Sequence, residues 1–166
     1  RGDIYFCDRP IDVRQLLQVR TPGKVRAHVN SIYISQPEQS LNFPDIGHLE
    51  LYVNGSLVNH YRFTAPSLTL HVNGDLIVGR DNQCLGTVAA THGTLLVDAR
   101  NIDCRFAQCY GKGITTLEST QGDIAIGAEA RGIDEKLKEQ FILLAASTLA
   151  SSPADRKKAA NLIKWA

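Results

Sequence analysis

At 166 residues the chain has room for one domain, or for one domain and an appendage. Its 18 basic and 17 acidic residues leave a net charge of +1, which excludes the long-range field that draws a protein onto nucleic acid or anionic lipid. With 43% hydrophobic residues it can bury a core, yet no apolar run reaches the roughly 18 residues of a membrane span.

The chain opens on Arg1-Gly2-Asp3, the integrin-binding tripeptide, which is short enough to arise by chance and abuts a first strand at Ile4-Tyr5-Phe6. It begins abruptly and lacks Met, so it reads as a piece of something longer, and the missing signal-peptide pattern carries little weight. Alternating segments then recur: Val25-Arg26-Ala27-His28-Val29-Asn30, Leu49-Glu50-Leu51-Tyr52-Val53-Asn54-Gly55 and Leu68-Thr69-Leu70-His71-Val72-Asn73-Gly74. Each is followed by a second short apolar strand. Weaker copies are Leu95 to Ile102 and Thr116 to Gly127, in which Asn101 and Gln121 take the Asn position. Pro37 and Pro44 bracket a looped insertion.

A period near 20 residues with two strands per period predicts a β-solenoid, because one coil cannot bury its apolar face alone and stacked coils can. Alternation then sends Leu68, Leu70 and Val72 inward and Thr69 and His71 outward. Ala27, Leu51 and Leu70 should form one inward column, Val29, Val53 and Val72 the next, and His28, Tyr52 and His71 an outward one. The Asn-Gly corners suit left-handed backbone, and stacked Asn side chains can satisfy one another in a ladder. The alternative fold is an antiparallel β-sandwich, with Asn54-Gly55 and Asn73-Gly74 as type I′ hairpin turns.

All 13 glycines precede Ile133, and the remaining segment is alanine-rich, which sets a boundary between a solenoid over residues 1–131 and a two-helix segment over 132–166. The first helix is expected over Asp134 to Ala150, with Leu137, Phe141, Ile142 and Leu144 on its apolar face. The second starts at Ser152-Pro153-Ala154-Asp155 and runs to Trp165. The pair would cap the solenoid or begin a further domain. Arg156-Lys157-Lys158 reads as a solvated face.

Chemical motifs are sparse. There is no nucleophile elbow, phosphate loop, zinc-protease helix or dinucleotide fingerprint. Gly111-Lys112-Gly113 reads as a turn. Of the five histidines, His28 and His71, with Tyr52 between them, form a surface stripe that doubles as the ligand-binding candidate; a metal there would have too few ligands. Cys84 and Cys104, one period apart, are read as stacked core residues or as a disulfide; a catalytic pairing of cysteine with His92 has no supporting motif. Acids such as Asp75, Asp81, Asp98, Asp103, Glu118 and Asp123 fall at differing places in the repeat, so no catalytic carboxylate pair, metal site or cofactor is expected.

Gly93-Thr94-Leu95-Leu96-Val97-Asp98-Ala99-Arg100-Asn101-Ile102-Asp103, with Tyr110-Gly111 and Thr116-Leu117-Glu118-Ser119, resembles the haemagglutinin-type repeats of the filamentous haemagglutinin and contact-dependent toxin family, over about residues 20–127. The resemblance implies a right-handed parallel β-helix in a large secreted bacterial protein, extracellular or at the cell surface. Its expected role is noncatalytic, structural or adhesive, towards a host-cell surface or another protein. Two alternatives are a self-assembling, bactofilin-like scaffold that associates end to end, and a secreted effector or enzyme carried on a β-helix.

Overall fold

The structure is a computed structural model and describes residues 2–126. A two-residue strand, β1 (Ile4–Tyr5), precedes the first full coil, made of β2 (Thr21–Val29), β3 (Ile32–Ile34) and β4 (Leu41–Asn42). The second coil comprises β5 (Ile46–Val53), β6 (Leu57–Asn59) and β7 (Arg62–Ala65), and the third β8 (Leu68–Val72), β9 (Leu76–Val78) and β10 (Gly86–Ala90). The fourth is β11 (Leu95–Ala99), β12 (Ile102–Cys104) and β13 (Ala107–Gly111); β14 (Thr115–Ser119) and β15 (Ile124–Ile126) belong to the fifth. Three strands per coil, rather than the two read from the sequence, build three walls. These are a six-stranded sheet β1-β2-β5-β8-β11-β14, a five-stranded sheet β15-β12-β9-β6-β3 and a four-stranded sheet β13-β10-β7-β4.

Every ladder between these strands is parallel. The chain is thus a parallel β-solenoid, and the antiparallel sandwich is excluded. Asn54-Gly55 and Asn73-Gly74 lie at corners where the chain passes from one sheet to the next, so they cannot be hairpin turns. The two expected C-terminal helices and the 131/132 boundary lie outside the described residues.

Period-two alternation explains the core. Val25, Leu49, Leu68, Leu95 and Thr115 share one inward column of the six-stranded sheet, with chain steps of 24, 19, 27 and 20. Ala27, Leu51, Leu70, Val97 and Leu117 form the next, all essentially inaccessible to solvent. The five-stranded sheet contributes Ile32, Leu57, Leu76, Ile102 and Ile124, and the four-stranded sheet Leu41, Phe63, Val88 and Cys109. Thr115 keeps its place in the inward column with its hydroxyl accepting the Gly111 amide (2.7 Å), and a larger polar side chain lies deeper. Asn59, fully buried beside Ile34 and Val78, donates from Nδ2 to the Thr87 carbonyl (2.8 Å) and accepts from the Tyr61 amide at Oδ1 (2.9 Å). Both ends of its amide are thereby satisfied, which makes its burial tolerable.

The long third coil comes from an excursion between β9 and β10. Gly79, the one described residue with a left-handed backbone (φ 81°), starts it, and Asp81 closes it by accepting the Gln83 and Cys84 amides. A Cβ at Gly79 would lie 1.8 Å from the Phe106 carbonyl oxygen, so both conformation and space require glycine there.

The Asn-Gly corners work differently from the expected left-handed Asn ladder. Asn30, Asn54 and Asn73 are exposed, and neither Gly55 nor Gly74 has positive φ. The ladder instead occupies the residue that precedes each strand of the five-stranded sheet. Ser31 Oγ accepts the Ser56 amide (3.2 Å), Ser56 Oγ the Asp75 amide (3.1 Å), Asp75 Oδ1 the Asn101 Nδ2 (3.0 Å), and Asn101 Oδ1 the Asp123 amide (3.0 Å). Ser31, Ser56 and Asn101 fill the space where the glycine of the next coil would carry a Cβ: 1.9 Å from Ser31 Oγ at Gly55, 2.4 Å from Ser56 Oγ at Gly74 and 1.7 Å from Asn101 Oδ1 at Gly122. Asn101 therefore matches Asp75 rather than Asn73, because its corner is one residue shorter.

The N-terminal end of the stack is covered. Asp12 caps a 3-10 helix over Val13–Gln18 by accepting the Arg14 amide (3.0 Å), and this turn lowers Leu16 into the core to zero exposure. Phe6, Ile11, Val13 and Val19, partly buried, pack against the same core.

Candidate functional site: the outer face of the six-stranded sheet

Alternation on β2, β5 and β8 places His28, Tyr52 and His71 in register on the outer face, as expected. Their rings stack, His28 on Tyr52 at 4.8 Å between centroids and Tyr52 on His71 at 4.6 Å. Asp98 on β11 and Glu118 on β14 continue the same column. Parallel in-register pairing is what permits this: it repeats one side chain's setting on every coil at the ~4.8 Å strand spacing, close to ring-stacking distance.

Beside it runs a second column of Tyr5, Arg26, Glu50, Thr69, Leu96 and Thr116. Glu50 joins the two. Its Oε1 accepts from Arg26 Nε at 2.6 Å and lies 4.0 Å from Lys24 Nζ, while Oε2 faces His71 Nε2 at 3.2 Å. His71 Nδ1 faces Asp98 Oδ2 at 2.5 Å. A neutral imidazole has one N–H and donates to one of these carboxylates at a time. At the other end His28 Nε2 lies 3.5 Å from Asp8, and the Arg26 guanidinium sits 4.8 Å over the Tyr5 ring.

Burial pushes the Glu50 carboxyl up, but hydrogen bonds from Arg26 and His71 and the nearby positive charges outweigh it and hold it below the usual carboxylate range. Nearby, His48 Nε2 meets Thr69 Oγ1 at 2.8 Å; burial, reinforced by Lys24, depresses this histidine below its ordinary value. Asp3 of the Arg-Gly-Asp tripeptide is spent on local structure: it accepts the Lys24 amide at 2.8 Å and the Tyr5 hydroxyl at 3.1 Å.

The sequence reading found the His28–Tyr52–His71 stripe and missed Glu50, Arg26 and the link to Asp98. Outward positions two residues apart lie on adjoining columns, so Arg26 and Glu50 were available from the same alternation. The expected scatter of acids does not hold: Asp75, Asp103 and Asp123 line one groove on the five-stranded side, Asp75 and Asp123 at the same ladder position, and Glu50 and Asp98 converge through His71.

The cysteine expectation is corrected. Cys84 lies in the excursion, its Sγ 3.4 Å from the His60 carbonyl, and does not stack on Cys104. Cys104 meets Cys109 instead, with Sγ atoms 3.0 Å apart and both thiols free. The hydrogen bond shared with Cys109, together with complete burial, raises Cys104 well above the usual thiol range. His92 bonds Thr91 Oγ1 (2.9 Å), and Gly111-Lys112-Gly113 is a turn whose Lys112 and Gly113 amides bond Ala90 and Gly93 of the previous coil.

Three shallow grooves of about 360, 350 and 380 Å³ lie by Asp75, Asn101 and Asp123, by Thr91, Tyr110 and Lys112, and by Arg20, Pro22 and Pro44; none includes the Glu50 cluster. Among the described residues no group of three or more His, Cys, Asp or Glu is arranged to hold a metal ion, and no helix is long and apolar enough to cross a membrane. Compared with known protein families, curated proteins and solved structures, the chain has no significant match.

Proposed function

We propose that the chain is a noncatalytic, structural or adhesive β-solenoid segment of a large secreted bacterial surface protein, with the outer face of the six-stranded sheet as its binding face. The observation that carries this reading is the mutual pairing of the Glu50 cluster. His71 faces a carboxylate at each ring nitrogen, and Glu50 is engaged at both oxygens. Nucleophilic or acid–base catalysis needs a group left free to meet a substrate inside a cleft; here the groups meet one another on an open wall. Rings stacked along the solenoid axis present their edges to solvent, which suits polar contact with a protein or cell surface better than stacking on a flat ligand.

The test is binding of the fluorescently labelled chain to intact host cells, measured by flow cytometry. Saturable binding, weakened about tenfold (~1.4 kcal/mol) or more by Tyr52→Ala, supports the reading. Absence of binding, or equal binding by the variant, removes the adhesive part of it. Leu16 and its 3-10 turn across the first coil favour this segment over an end-to-end scaffold, since they cover core that a stacking copy would need. Sedimentation velocity should accordingly show monomers, and filaments would favour the scaffold.

A further inference from the structure

We propose that Cys104 and Cys109 form a disulfide across the corner between β12 and β13 when the chain folds in the presence of a small disulfide such as oxidised glutathione. Alternation turns Ile102 and Cys104 inward on β12, and Ala107 and Cys109 inward on β13, with only Arg105-Phe106 at the corner between the strands. The two walls thus aim both thiols at one point of the core. The sulfurs are 3.0 Å apart, inside the van der Waals contact of two sulfur atoms. Closing to the ~2.05 Å covalent distance takes a shift of about 1 Å. No other pairing is prepared: Cys84 is engaged with the His60 carbonyl, and Cys7 is exposed near the N-terminus.

The chemistry is thiol–disulfide exchange. One cysteine loses its proton and attacks oxidised glutathione, displacing one glutathione thiolate and leaving a mixed disulfide. The second loses its proton and attacks the protein sulfur of that bond, displacing the other glutathione. Two protein thiols are oxidised to one disulfide, and one oxidised glutathione is reduced to two thiols. In the closed coil both cysteines are 1% exposed, so the exchange occurs before the fourth coil closes; afterwards the same burial shields the bond from reductants. The product ties the five-stranded to the four-stranded sheet and suits an oxidising space.

The chain carries its own assay, because trypsin cleaves after Arg105, between the two cysteines. The full chain is refolded in reduced and oxidised glutathione, denatured without reductant, alkylated with iodoacetamide, digested and analysed by mass spectrometry. The expected result is peptides 101–105 and 106–112 as one linked species that separates on reduction, with Cys7 and Cys84 alkylated. The same redox buffer containing guanidinium should give only a minor linked fraction, and Cys84→Ser should leave the link intact. Separate alkylated peptides after refolding, equal linkage in guanidinium, or loss of the link in Cys84→Ser would each overturn the proposal.

Discussion

Leu70 and His71 are neighbours in the chain and opposites in environment. Leu70 is wholly buried between Leu51 and Val97, whereas the His71 side chain keeps 27% of its exposure on the outer face. Leu70→Ala should therefore cost about 2–5 kcal/mol in chemical denaturation, the range for emptying a close-packed site. Adjacency alone would make His71→Ala nearly neutral. Its bonds to Glu50 and Asp98 change that: truncation leaves a largely buried carboxylate short of a partner, and a loss of about 1 kcal/mol is expected. Equal losses for the two variants would contradict the register. Asn59 supplies a third measurement. Asn59→Leu fits the aliphatic column but strands the Thr87 carbonyl and the Tyr61 amide, so it should destabilise by at least about 2 kcal/mol despite its added hydrophobicity. An Asn59→Leu variant as stable as the parent would show that these two groups find other partners.

At the scale of strands and corners, glycine spacing answers to the neighbouring coil. Gly55→Ala places a methyl group 1.9 Å from Ser31 Oγ, and a loss of about 1–3 kcal/mol is expected from overpacking. Since Gly55 has no left-handed backbone, Ser31→Gly in the same chain should restore part of that stability. No recovery in the double variant would point to backbone strain instead. The same corners explain what was readable beforehand. Inward and outward faces of β2, β5 and β8 were legible because a period of two leaves one choice, and a one-residue slip would have exposed Leu51 and Leu70. The His28–Tyr52–His71 column followed from that choice. The third wall was not legible, because β4, β7 and β10 carry no shared Asn-Gly signature. Nor was the Asn101 register, since the corner before β12 is one residue shorter than the corner before β9, and counting from Asn73 lands one step off. Cys104 and Cys109 meet through a corner of two residues, a length that spacing by whole coils does not sample.

Over the whole molecule, a parallel solenoid repeats each local choice on successive coils, so its electrostatics accumulate along columns rather than around a centre. Two groups of the outer face then bias the pH dependence of folding in the same direction. His48 is depressed in the fold, mainly by burial, so the unfolded chain binds its proton more readily, and stability falls as pH drops below about 6.5, the ordinary histidine value. Glu50 is also depressed, since its hydrogen bonds from Arg26 and His71 and its positive neighbours exceed the cost of burial; its contribution is complete above the ordinary glutamate range and is lost as pH falls through the folded value. The guanidinium midpoint should therefore be highest above pH 7, decline through the histidine window and decline further below about pH 4.5. His48→Gln should flatten the first decline and Glu50→Gln the second, each leaving the other in place. A decline between pH 7 and 5 that stayed unchanged in His48→Gln would contradict the depression assigned to His48.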